Sequence, residues 1–272
     1  MPFFQTSDGV NLHYLDEGTG TPIIALPGLT RNAADFDHVA PHLTGRLIRP
    51  DYRGRGQSDW ADHSTYTVPQ EARDILELMG HLKLEKAALL GTSRGGIIAM
   101  MLAATAHDRL LGVALNDIGP VIEEAGLDVI MDYIGHNPAQ KTYQEAAEAR
   151  AKLWTDFTDV PMERWLAEVR GQYRETEQGL VIRYDPKLRD AMIAASASPT
   201  PDLWPLFDAL VGLPLALIRG ANSDLLSAQT AEAMRARRPD MICANIPGRG
   251  HVPFLDEPQA LDALRQWQEN YA

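Results

Sequence analysis

Three residues about a third of the way along the chain have the types and spacing for nucleophilic chemistry. Gly91, Ser93 and Gly95 form a Gly-x-Ser-x-Gly pattern. An apolar run, Ala87 to Leu90, precedes it and reads as a buried strand. Ile97 to Ala104 follows, apolar all round, and reads as a buried helix. Strand, sharp turn and helix are the context that lifts a serine hydroxyl out of the backbone and presents it to a substrate. The turn holds Ser93 in a strained conformation. Gly91 and Gly95 leave room where strand and helix crowd together, and Gly96 lets the helix pack closer. The backbone N–H of Arg94 then lies at a helix N-terminus, where developing negative charge is favoured.

Other chemistries lack their residues. There is no His-Glu-x-x-His, and with one cysteine there is no Cys pair to hold a metal. No Gly-x-Gly-x-x-Gly follows the first strands, so no nucleotide cofactor, and no cofactor of any kind, is indicated. Asp51 to Asp59, with glycines at 54 and 56, resembles a phosphate loop but lacks the lysine pattern. It reads as a structural turn with Asp51 and Arg53 paired. The net charge of −12 argues against nucleic acid or an anionic membrane as partner. No apolar run reaches the ~20 residues of a membrane span. The N-terminal stretch carries no export signal, which fits a cytoplasmic protein. Cys243 lies in the apolar run Met241 to Ile246 and is expected to be a buried, inert thiol.

The elements that must position Ser93 follow from the pattern of the rest. At 272 residues and 45% hydrophobic, the chain supports one large domain or a domain with an insertion. Strands are expected at Phe3 to Thr6, Asn11 to Leu15, Ile23 to Leu26, Leu47 to Pro50, Leu111 to Asn116, Pro214 to Arg219 and Met241 to Ile246. Ser7-Asp8-Gly9 is a hairpin turn between the first two. Helices are expected at Phe36 to Leu43, Pro69 to Leu82, Ala228 to Arg238 and Pro258 to Tyr271. Strands buried on both faces and alternating with helices mean a mostly parallel sheet with helices on both sides. Between about Val121 and Ala209 the alternation stops. Helical patterns cover Leu127 to Gly135, Pro138 to Phe157 and Pro161 to Glu175, and Leu180 to Tyr184 is a short strand or extended loop. Such a block reads as a helical cap (121–209) over the carboxyl ends of a sheet domain (1–120 and 210–272), the edge where open α/β sheets bind ligands.

Four pieces together resemble the α/β-hydrolase family over nearly the whole chain. They are Leu26-Pro27-Gly28-Leu29, Asp51-x-Arg53-Gly54-x-Gly56-x-Ser58-Asp59, Gly91-x-Ser93-x-Gly95-Gly96, and Arg219-Gly220-x-x-Ser223-Asp224 with Gly248-x-Gly250-His251. The resemblance implies an eight-stranded, mostly parallel sheet and a nucleophile–acid–histidine order. His251 is then the base for Ser93. The other seven histidines (13, 38, 42, 63, 81, 107 and 136) read as surface-loop residues. Asp224, after the penultimate strand, is the first choice for the carboxylate that orients the base. Asp117 is its rival, since some members place the acid there. The resemblance also implies an oxyanion hole built from the N–H groups of Leu29 and Arg94. Pro27 stands before Gly28 where the family commonly has His-Gly, and the donor needed is two residues on. The Arg94 side chain either reads a substrate carboxylate or carbonyl, or turns to solvent or to a nearby acid.

The reaction implied is hydrolysis of a small or medium carboxylic ester or lactone through an acyl-enzyme, without metal or cofactor. A carbon–carbon bond hydrolase or a perhydrolase would use the same triad. A non-catalytic ligand-binding protein on the same fold is the reading from a different class. Dehalogenases and epoxide hydrolases carry Asp at the elbow and are excluded by Ser93. Tyr133, Trp154, Phe157, Trp165 and Tyr173 cluster in the cap, and some of them are expected to line the substrate pocket.

Overall fold

The computed structural model describes residues 2–197 and 201–271. Residues 198–200, within the stretch read as a cap, lie outside the described residues, as do both terminal residues. Strands β1 (Phe3–Gln5) and β2 (Asn11–Gly18) form an antiparallel hairpin. Gly9 turns it at φ +89°. Then come β3 (Pro22–Leu26) and β4 (Arg46–Pro50), with α1 (Val68–His81) behind them. The elbow joins β5 (Ala87–Thr92) to α2 (Arg94–Thr105), and β6 (Leu110–Asn116) follows. An insert then carries α3 (Glu124–Tyr133), α4 (Tyr143–Leu153), α5 (Met162–Gln172), the β7–β8 hairpin (Tyr173–Thr176 and Gly179–Ile182), α6 (Leu188–Ser196) and α7 (Trp204–Asp208). The sheet resumes with β9 (Leu215–Gly220), α8 (Ala228–Arg237), β10 (Ile242–Ile246) and α9 (Pro258–Glu269).

The main sheet has eight strands in the order β1-β2-β4-β3-β5-β6-β9-β10. β2 meets both neighbours antiparallel, and every later pairing is parallel. β5, the elbow strand, sits at the centre and is buried along its whole length. Both faces of the sheet are covered. One apolar layer packs Ile75, Leu78, Ile98 and Leu102 against Leu89 and Leu115. The other packs Phe36, Leu264 and Trp267 against Leu90, Ala114 and Ile218. Strands enclosed this way must be apolar on both sides, which is why β3, β5 and β6 read as unbroken apolar runs.

Several local expectations need correction. Phe36 to Leu43 is not a helix. Two short 3₁₀ turns, Ala33–Phe36 and Ala40–His42, take its place, with Pro41 inside the second. Proline lacks the N–H an α-helix would use and crowds the preceding turn. Tyr173 to Glu175, expected to end a helix, belong instead to β7, because Gly179 at φ +124° lets the chain fold back into β8. Asp51 and Arg53 are not paired with each other. Asp51 accepts from His13 Nδ1 (2.8 Å) and the N–H groups of Ala33 and Gln57, while Arg53 pairs with Asp74 and Asp8. His13 is consequently buried rather than on a surface loop. Cys243 is exposed, because β10 is an edge strand and its side chains alternate between covered and open faces.

Candidate active site

The turn after β5 is sterically exact in its demands. A Cβ on Gly91 would lie 2.5 Å from the carbonyl oxygen of Gly95, and one on Gly95 would lie 2.1 Å from that of Leu26. Only glycine lets α2 approach the strands this closely. Ser93 itself adopts φ +50°, ψ −115°, a region that costs a non-glycine residue on the order of 1–3 kcal/mol. That conformation presents its hydroxyl at the carboxyl edge of the sheet.

His251 comes from the loop after β10. Its Nε2 lies 2.9 Å from Ser93 Oγ, and its Nδ1 lies 2.8 Å from Asp117 Oδ2. A carboxylate can only accept, so Nδ1 carries the proton and Nε2 is left as the acceptor for the serine hydroxyl. The loop is fixed on both sides. Arg249 pairs with Glu257 at 2.8 Å, and Asn116 Nδ2 donates to the carbonyl of Pro253 and to Thr92 Oγ1.

The acid at His251 is therefore Asp117 and not Asp224. Asp117 directly follows β6, the strand beside β5, and is fully buried. Its φ of +55° turns the chain at the strand end, a conformation that aspartate tolerates better than most residues. Oδ1 accepts from Gly220 N–H (2.8 Å), and Oδ2 accepts from Ser223 Oγ–H (2.6 Å) as well as from the imidazole. The family motif around Ser223-Asp224 thus supplies donors to the carboxylate rather than the carboxylate itself. Asp224 makes no hydrogen bond to any described residue, and its carbonyl lies against Gly126 of α3.

Leu29 and Arg94 flank Ser93 on the other side. Among the described residues, neither backbone N–H donates to a protein acceptor. Arg55, fully buried, donates to the Leu29 carbonyl at 3.0 Å and forms an ion pair with Glu71 at 3.0 Å. Glu71, also fully buried, holds the Arg94 guanidinium at 2.5 Å, and Arg94 also donates to the Tyr66 carbonyl. The Arg94 side chain is thus turned into a buried ion cluster and does not line the cavity over Ser93.

That cavity measures about 250 Å³ and is walled by Gly28 to Arg31, the His251 loop and the insert. Tyr133, Trp154 and Tyr173 line it. Phe157 and Trp165 do not. They stack with Trp154 and Phe254 in a separate apolar cluster that joins α4 and α5 to the His251 loop. Sequence reasoning overlooked the charged wall. Arg31 pairs with Asp35 (2.7 Å) and Glu168 (2.5 Å), and Arg164 pairs with Glu168 (3.1 Å) and Asp256 (2.7 Å). Burial pushes the Asp35 carboxyl up to about 6, Arg31 opposing and Glu168 reinforcing the shift. Burial also disfavours the charged form of Glu168, but Arg31 and Arg164 outweigh it and hold that carboxyl below its ordinary value. Arg164 and Glu168 carry no local signal, since their spacing on α5 is that of any solvated helix face.

Comparison with known proteins agrees with the fold. The family model described as "Alpha/beta hydrolase family" matches residues 23–264. A 3-hydroxybutyrate-oligomer hydrolase from Cupriavidus necator is 34% identical over 285 aligned positions, covering 98% of this chain and 97% of that protein. A 2-(acetamidomethylene)succinate hydrolase from Mesorhizobium japonicum is 27% identical, covering 89% of this chain and 85% of that one. The crystal structure of an alpha/beta hydrolase from Novosphingobium aromaticivorans superposes with a TM-score of 0.93 at 37% identity, over 99% of this chain and 97% of that one.

Proposed function

The chain belongs to the alpha/beta hydrolase family and is a hydrolase, and on that premise we propose that it cleaves small and medium carboxylic esters or lactones through an acyl-enzyme on Ser93. One observation carries the reading: Ser93 Oγ, the His251 ring and the Asp117 carboxylate are linked by bonds of 2.9 and 2.8 Å at the wall of one cavity. As Ser93 Oγ bonds to the ester carbonyl carbon, its proton passes to His251 Nε2. The carbonyl electron pair moves to oxygen, and the N–H groups of Leu29 and Arg94 donate hydrogen bonds to that oxyanion. Collapse breaks the bond to the alcohol oxygen, which leaves with the proton from Nε2. Water, deprotonated by the same nitrogen, then releases the acid and restores Ser93.

Residues 121–209 serve in this reading as a cap that limits substrate size. A cavity of about 250 Å³ falls just below the range of roughly 300–1,000 Å³ for small-molecule sites. That favours short soluble esters over long-chain triglyceride. The relative named for 3-hydroxybutyrate oligomers supports short oligoesters of hydroxy acids as the substrate class.

A panel of short esters, a lactone, a hydroxy acid oligoester and a vinylogous diketone, run on the wild type and Ser93→Ala, tests the proposal. Esters or lactones should turn over, and Ser93 should be labelled by a fluorophosphonate. Turnover of the diketone alone would assign the triad to carbon–carbon cleavage. No labelling and no turnover would leave a binding protein.

A further inference from the structure

Arg150, on α4, stands apart from the other arginines of the cavity wall. It is 7% exposed. Arg31 and Arg164 each meet two carboxylates, whereas Arg150 meets none among the described residues. Its Nη2 donates to Gln172 Oε1 at 2.7 Å and to Tyr173 Oη at 3.4 Å. Its guanidinium carbon lies 4.5 Å from the Trp154 ring centroid and 5.8 Å from that of Tyr173. Its Nη1 is buried without an acceptor, and so is Nε2 of Gln172 beside it. Arg150, Trp154, Gln172 and Tyr173 all line the cavity that Ser93 lines.

A guanidinium stays protonated at any pH the protein survives. Burying one with no carboxylate in direct contact leaves its desolvation penalty uncompensated by an ion pair. Folding alone gives no reason to keep such a group where a leucine would pack. The chain as a whole carries a net charge of −12, so a stray cation here is not part of a basic background. The charged side chains lining the cavity are Arg31, Arg150 and Arg164 with Asp35 and Glu168, and Asp256, which pairs with Arg164, brings the cluster to three of each sign. Arg150 Nη1 and Gln172 Nε2 are each an unused donor of the kind a carboxylate oxygen accepts from.

We infer that Arg150, assisted by Gln172, receives a free carboxylate on the substrate, so that the preferred substrate is a short ester carrying a carboxylate at its far end. The inference rests on the ester-hydrolase reading for its chemistry, but the anion site is testable without turnover. For an oligoester of a hydroxy acid, such a site selects the free-acid terminus and places cleavage next to that end. Water adds across one ester bond per turnover, giving one new carboxyl and one new hydroxyl group.

The test compares matched esters. 3-Acetoxybutanoate against 3-acetoxybutanamide puts the charge on the alcohol side. Phenyl hydrogen glutarate against phenyl hexanoate puts it on the acyl side. The wild type should prefer at least one charged ester over its neutral partner by tenfold or more. In Arg150→Met that preference in kcat/KM should fall to near unity, a loss of about tenfold or more carried by KM, with Arg150→Lys in between. A wild type indifferent to the charge, or an unchanged preference in Arg150→Met, overturns the inference. Should Arg150→Met fail to fold, calorimetry on Ser93→Ala decides: 3-hydroxybutanoate must bind more tightly than methyl 3-hydroxybutanoate, and equal or weaker binding rejects the site. The same titration separates the two readings. Anion binding without any ester turnover by the wild type would reject ester hydrolysis while leaving the carboxylate site in place.

Discussion

Arg94 Nε donates to Glu71 Oε2 at 2.5 Å, so the side chain next to the nucleophile is spent on the scaffold and not on the substrate. Because Glu71 also pairs with Arg55, whose guanidinium holds the Leu29 carbonyl, one buried carboxylate connects both residues assigned to the oxyanion hole. Glu71→Gln leaves the buried Arg55 guanidinium and the half-buried Arg94 guanidinium without their counter-charge. Thermal unfolding should show a loss of about 3 kcal/mol or more, and kcat should fall for charged and neutral esters alike. Arg94→Leu should leave the KM ratio of charged to neutral esters unchanged. A selective rise for charged esters would return Arg94 to substrate recognition.

Asp117→Asn and Asp224→Asn distinguish the two candidate acids. With an amide at 117, the imidazole loses the acceptor that fixes its tautomer, and kcat should drop by several orders of magnitude, up to about 10⁴-fold. Asp224→Asn should stay within a few-fold of wild type. Ser93→Ala and His251→Ala should each lower kcat by orders of magnitude, and combining them should add little.

Ser223 offers a finer measurement. Its hydroxyl donates to Asp117 Oδ2 at 2.6 Å and accepts from the N–H groups of Leu225 and Leu226. Ser223→Ala should reduce kcat about tenfold, as removing one charge-assisted hydrogen bond would, with KM little changed.

The aromatic residues of the insert should divide into two groups. Trp154→Ala and Tyr133→Ala enlarge the cavity and should shift the preferred acyl or alcohol length, read as kcat/KM across a homologous ester series. Trp165→Ala should instead destabilise the protein, by about 3–5 kcal/mol in denaturant titration, because Trp165 is buried in the cluster behind the cavity wall.

Asp35 makes anion binding depend on pH. Its carboxyl is pushed up to about 6, and the groups that face it are Arg31, Glu168 and Arg164. Protonation removes a negative charge from the wall, so 3-hydroxybutanoate should bind Ser93→Ala more tightly as the pH falls through that value. The additional Asp35→Asn substitution should flatten this part of the profile. The sign for stability is the same: with the folded value above the unfolded one, the contribution of Asp35 is present at low pH and lost as pH rises through about 6.

The fold and two of the three linked residues were legible in the chain because local chemistry specifies them. Apolar runs mark the buried strands, and Gly91 and Gly95 are demanded by a turn with no room for a Cβ. His251 follows the last strand. The acid was not legible locally, because Asp117 and Asp224 both follow strands that end at the same sheet edge. Strand order decided between them: β6 lies beside β5, and Asp117 is turned there at φ +55° to meet His251, Gly220 and Ser223 together. The charged wall was likewise decided only by folding. Arg31 and Glu168 are 137 positions apart, and the lack of a carboxylate at Arg150 is a property of everything packed around it. Sequence periodicity reports which face of an element is buried. It carries nothing about which distant charge shares that burial, since such pairing depends on three-dimensional proximity across separate elements.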